Sequence, residues 1–258
     1  MLRPPLHYPQ PVVRQTGDMS SVADSVELAH KYVSGMGDGW VHLSTVGGVA
    51  EGLARRSEFD TESVVSAAWL HDVRYAPECG RNRCHPLDGA NLLLSVGVPD
   101  SVVALVAHHT GAAHEAEERA CSTSGELPSP DTAALDVLTM VDLAVEPAGQ
   151  SQLDVNRIAG MLKRYGEDDP VYRAVTRSRD LLLASSARGK RLLRLPDDWP
   201  LVAAQGVEDA ESQGGCSSSS SSVLGWTHST RSLSSLVLGV PLRSLARNAR
   251  ENCWRTSP

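Results

Sequence analysis

The 258-residue chain carries 31 acidic against 24 basic side chains, a formal charge of -7 and a pI near 5.7. That balance excludes the broad basic surface that nucleic-acid polymers and anionic membranes require, and favours a small substrate. Hydrophobic residues make up 41% but aromatic ones only 4%, so the core must be built from Ala, Val and Leu, which suits one helical domain with tails.

Residues 1–18 carry four prolines and little periodicity, and read as an extended arm, or as upstream sequence if synthesis begins at Met19. The arm lacks the basic-then-apolar order of a signal peptide, and no run reaches the roughly 18 apolar residues of a membrane span. From Ser21, Val22, Val26, Ala29 and Val33 recur at helical spacing, and the glycines of GMGDG close that helix. A second helix is expected from about Gly39 to Arg56, with His42, Val46, Val49, Ala50 and Leu53 on one stripe. Asp60 can cap the third, whose SVVSAAWL is apolar nearly all round and therefore central, with His71 and Asp72 at its C-terminal end.

YAPECGRNRCHP is a loop by its Pro, Gly and Asn content, and Pro86 suits the start of a fourth helix, leaving His85 at the junction. Pro99 opens a fifth, SVVALVAHH, with Gly111 just beyond it; Asp131 caps a sixth, TAALDVLTMVDLAV, which carries Asp142 on an apolar face. Two amphipathic scaffold helices follow, from about Asp154 to Tyr165 and from Pro170 to Ser186. Beyond Pro196 the chain turns polar and serine-rich, then ends in an apolar patch and a basic stretch; it reads as a tail or as a short surface-binding helix. The expected division is a flexible arm (1–18), an all-α bundle of seven or eight helices (19–195) and a low-complexity tail (196–258). The five cysteines include no CxxC pair and suggest neither a disulfide framework nor a thiolate zinc site, so the expected compartment is the cytoplasm.

Chemistry concentrates around His71-Asp72. An adjacent His and Asp can reach one cation together, and His42, 29 residues earlier, can be set beside them by the preceding helix. Asp142 completes the set with a carboxylate that is costly to bury unpaired. His85 and His108 begin and end helical segments and can converge on the other oxygen of Asp72, giving two divalent ions bridged by that carboxylate. His109 either orients His108 through a hydrogen bond or ligates directly. Mixed imidazole and carboxylate donors suit Mn, Fe, Co, Ni or Zn. His7 and His228 fall in the tails, and His30 and His114 are read as surface residues.

The order His42, His71-Asp72, His85, His108 and Asp142 resembles the HD-domain superfamily of metal-dependent phosphohydrolases, over residues 20–190. The phrases AAWLHDVRYAP, HPLDGA and VALVAHHTGA resemble its six-ligand bacterial branch, which includes dinucleoside tetraphosphate hydrolases. No Gly-Tyr-Pro follows His109, which disfavours the cyclic-dinucleotide phosphodiesterases, and Arg74 stands where relatives commonly have glycine. The resemblance implies an all-helical fold and hydrolysis of a nucleotide or other small phosphoester by a metal-activated hydroxide. His71 and Asp72 would be catalytic. Arg81 and Arg83 are the nearest basic candidates for the substrate phosphates, and Arg74 either grips phosphate or points to solvent. Alternatives on the same scaffold are a dinuclear-iron oxygenase and a non-catalytic nucleotide-binding regulatory module. Oligomeric state is open.

Overall fold

Ser21 starts the first helix with a reciprocal cap: its hydroxyl accepts from Asp24 N at 3.2 Å while the Asp24 carboxylate accepts from Ser21 N at 3.1 Å. The computed structural model describes residues 20–55, 62–73, 85–121 and 127–201. By its contacts the chain divides into Met1–Gly214 and Gly215–Pro258, and every described residue belongs to the first unit. The protein is all-α: α1 (Val22–Val33), α2 (Asp38–Ala54), α3 (Glu62–Leu70), α4 (His85–Ser95), α5 (Asp100–His108), α6 (Ala112–Glu118), α7 (Thr132–Leu143), α8 (Asp154–Arg164) and α9 (Pro170–Leu192). Eight helices result if α5 and α6 are taken as one, broken at a 3-10 turn, His109–Gly111. No helix among the described residues is long and apolar enough to cross a membrane. The expected Asp60 cap and most of the arm and tail lie outside the described residues.

α3 is the short central helix that its all-round apolar sequence demands. Val64, Val65, Ala67, Ala68 and Leu70 are all buried, and α1, α2, α5 and α7 surround it. Its neighbours approach closely because small residues let them. A Cβ on Gly47 of α2 would lie 2.4 Å from the Trp69 ring, which sits flat over that glycine while its Nε1 donates to Glu51 at 2.8 Å.

α7 is the second buried helix and carries Asp142 near its end. Asp131 caps it, accepting from Ala134 N at 2.8 Å. Asp131→Ala is expected to cost about 1 kcal/mol in urea unfolding, with no change in slope, since one helix-end N–H loses its acceptor.

α9 extends to Leu192, well past Ser186, where the sequence led us to end it. Gly189 is no terminator: its missing side chain lets α9 touch the α7 backbone, where a Cβ would lie 2.7 Å from Asp136 O. Around that contact Ser185 Oγ donates to Asp136 Oδ1 at 2.6 Å and Arg188 forks onto both oxygens at 2.7 Å, fixing how α9 lies along α7. The packed body also runs past Pro196 to include Trp199, which is 6% exposed.

Two further features depart from expectation. α6 was hidden by Gly111, which reads as a helix end but is a hinge from which a second helix restarts. Cys121, shortly after α6, is disulfide-bonded, although the cysteine pattern suggested no disulfide framework.

Candidate metal centre

His42 lies on the buried stripe of α2 and His71 just beyond α3; both are nearly inaccessible, at 2% and 1% exposure. Each ring is oriented by a backbone carbonyl. His71 Nδ1 donates to Ala68 O at 2.9 Å, and His42 Nδ1 donates to Glu146 O at 3.2 Å. A carbonyl only accepts, so Nδ1 carries a proton in each ring and Nε2 is the atom turned inward. The two Nε2 atoms stand 3.3 Å apart, with the rings edge to face.

Two carboxylates flank the pair of Nε2 atoms, and His42, His71 and Asp72 offer ligand atoms that all lie within 4.8 Å of one another. Asp142 Oδ1 lies 3.1 Å from His42 Nε2 and 3.8 Å from His71 Nε2. Asp72 Oδ2 lies 3.6 Å from His71 Nε2 and 4.0 Å from His42 Nε2. Once both rings are neutral, as ligation to a metal requires, every inward-facing atom is an acceptor, and such a group suits a shared cation. A proton can serve one such contact, whereas a divalent cation serves all of them at once. Ligand bonds of about 2.1 Å set neighbouring ligand atoms about 3.0 Å apart at right angles and about 3.4 Å apart at the tetrahedral angle. The 3.1 and 3.3 Å spacings match that scale and the others, 3.6 to 4.0 Å, are wider; imidazole and carboxylate donors together suit Mn, Fe, Co, Ni or Zn.

Of the four side chains Asp72 is the most accessible, 13% exposed against 6% for Asp142, so Asp72 marks the edge nearest solvent. Burial pushes the Asp142 carboxyl up, but the hydrogen bond with His42 and the charges of His71, His42 and Arg157 outweigh that and hold it well below the usual carboxylate range. It is therefore ionised at neutral pH, as a ligand must be.

Thr110 is a residue the sequence reading passed over. It adopts φ 42, a left-handed conformation that β-branched residues rarely take, followed by Gly111 at φ 80. That turn aims its hydroxyl at Asp142 Oδ2, to which it donates a short hydrogen bond, leaving Oδ1 to face the histidines. The available signal was the HHTG sequence, in which a glycine after a β-branched residue marks a forced turn. Thr110→Val keeps the shape but removes the donor, and is expected to weaken Mn(II) binding 10- to 100-fold by calorimetry.

The same turn separates the two adjacent histidines. His109 is buried, its Nδ1 donating to Val106 O at 2.6 Å and its ring standing edge-on to His71 with centroids 5.2 Å apart. His108 is exposed at the end of α5 and is not part of this group. Thus the structure gathers His42, His71, Asp72 and Asp142, with His109 beside them. The backbone of His85 opens α4, but its side chain lies outside the described residues, as do Arg74, Arg81 and Arg83. His30 is exposed, as expected, and packs edge-on against Trp40, while His114 is half-buried. No family model matches the chain, and no solved structure gives a significant match.

Proposed function

We propose that the protein is a metal-dependent phosphohydrolase of the HD type, acting on a nucleotide or other small phosphoester. One observation carries the reading: His42 and His71, each fixed through Nδ1, turn their Nε2 atoms toward each other and toward Asp142 and Asp72, of which Asp72 lies nearest solvent. A cation held by these four residues would supply water activation near neutral pH and neutralisation of phosphoryl charge. The chain supplies the rest. The backbone carbonyls of Ala68 and Glu146 hold the rings, and Thr110 holds Asp142, so no side chain must reorganise when charge develops. Burial of His42, His71, His109 and Asp142 leaves the Asp72 edge for substrate approach.

A second ion, bridged by Asp72 and held by His85 with His108 or His109, remains the proposal of the sequence pattern. Of those last two, His109 is the better placed, being buried against His71.

The test is phosphate release from a panel of nucleotides, dinucleoside polyphosphates and simple phosphomonoesters, with Mn(II), Co(II) or Fe(II), under air and under argon. Metal-dependent release that is indifferent to oxygen supports the proposal. Oxygen-dependent turnover with iron alone would replace it with the oxygenase reading. Nucleotide binding without turnover across all three metals would replace it with a regulatory module.

A further inference from the structure

His42 is held at both ring nitrogens by one short stretch of chain. Asp142 Oδ1 lies 3.1 Å from its Nε2, and four residues further on Glu146 O accepts from its Nδ1 at 3.2 Å. Glu146 lies beyond the end of α7, so the position of its carbonyl is set by the loop that follows. Val145 pairs with Ser151 in an antiparallel bridge, Gln152 N donates to Ala144 O at 2.9 Å, and Glu146 N donates to Gln150 O at 2.8 Å, which closes the loop at its neck. Within it Gly149 N donates to Glu146 O at 2.8 Å. That oxygen thus receives two donors, one from the loop and one from the imidazole, and both of its lone pairs are used.

The closure depends on Gly149 in two ways. Its φ of +81 lies in the left-handed region, where an L side chain is strained. Its backbone also comes down on α2, on the very turn that carries His42: a Cβ would lie 2.8 Å from Val41 Cγ1 and 2.9 Å from Thr45 Oγ1. Thr45 Oγ1 is itself engaged, donating to Val41 O at 2.7 Å. The loop is therefore seated against the same turn of helix whose imidazole its carbonyl receives. The separation between loop and α2 sets the separation between Glu146 O and His42 Nδ1.

We infer that Gly149 is a positioning residue for the metal centre: by letting the loop close on α2 it places the Glu146 carbonyl that keeps His42 Nε2 aimed at the cation. An imidazole that donates through Nδ1 is fixed against rotation and is a stronger donor at Nε2, so the grip on the metal depends on that carbonyl as well as on the ligand atoms. The inference rests on the metal centre assumed by the phosphohydrolase reading above, and not on the reaction carried out there.

The test uses the full chain as wild type, as Gly149→Ala, as the triple variant Val41→Ala, Thr45→Ala, Gly149→Ala, and as Ser21→Ala, a control that breaks only the cap of α1. Calorimetry measures Mn(II) affinity, and proton NMR at saturating Co(II) measures how fast the ring N–H protons of the bound imidazoles exchange with solvent. Gly149→Ala is expected to weaken Mn(II) binding about 10- to 100-fold. It should also speed exchange of one ring proton, that of His42, while that of His71, held by Ala68 O, keeps its wild-type rate. The triple variant removes both side-chain atoms that the new Cβ would meet and should recover part of the affinity. Ser21→Ala should lower the midpoint of thermal unfolding and leave Mn(II) affinity unchanged. Unchanged Mn(II) affinity in Gly149→Ala would overturn the inference and leave the phosphohydrolase reading standing. Faster exchange of both ring protons would also overturn it, by making the loop a prop of the whole fold. Metal binding by wild type without turnover of any ester would overturn the phosphohydrolase reading alone, since affinity and ring-proton exchange still report on Gly149. Wild type that binds neither Mn(II) nor Co(II) overturns both.

Discussion

Asp72→Ala is expected to lose Mn(II) binding by at least about 100-fold and to lose metal-dependent phosphate release with it, while unfolding at nearly the same temperature as metal-free wild type. Substitutions that merely disturb the orientation of a ligand cost 10- to 100-fold in metal affinity, so removing a direct oxygen donor should cost more. The position is chosen because the side chain is the most accessible of the four candidate ligands, at 13% exposure. Truncating Asp142 would confound the result, because that carboxylate is 4% exposed and also satisfies His42 and Thr110. Activity retained in Asp72→Ala would remove the basis of the proposed function.

Gly189→Val is expected to be the most destabilising change away from the site. An added Cβ alone would meet Asp136 O at 2.7 Å, Asp136 C at 3.1 Å and Met140 Cβ at 3.1 Å, and the first two are backbone that no rotamer change can move aside. The helices must separate, and the Ser185 and Arg188 contacts to Asp136 that fix their relation must stretch. Overpacking of this kind costs about 3 kcal/mol, which for a body of this size lowers the midpoint of thermal unfolding by roughly 6 to 12 °C. Gly160→Ala in α8 is the control. A Cβ there meets nothing within 4 Å, and the change should be neutral or stabilising by up to about 1 kcal/mol, measured by the same thermal scan. Equal effects at the two glycines would show that the α7–α9 approach is not tight in solution.

Much of the scaffold was legible because apolar spacing and punctuation agree in it. Asp131 caps α7, and Pro99 precedes α5, where each was expected. The all-round apolar α3 is the central helix its composition implied. The reading failed where a glycine served as a hinge instead of an end. Gly111 resembles a terminator, and a single sequence does not distinguish a glycine that stops a helix from one at which the next helix restarts. At the candidate site the sequence supplied His42, His71, Asp72 and Asp142, since chemistry-bearing residues on apolar stripes stand out. It could not supply Thr110, a hydroxyl aimed by an unusual backbone angle, and it took His108 as a ligand where the same turn leaves His108 exposed and buries His109 against His71.

His42 and Asp142 meet across 100 residues of chain, and His42 meets the Glu146 carbonyl across 104. Contacts that distant form late, after the cost of closing the intervening loop has been met by other packing. A half-folded chain therefore has no ready-made grip for a cation, and the grip appears only with the native topology. Metal should consequently behave as a selective ligand of the finished fold, raising its stability by about 2.7 kcal/mol at a hundredfold excess over the dissociation constant, while leaving the rate of folding largely untouched and slowing escape from the native state.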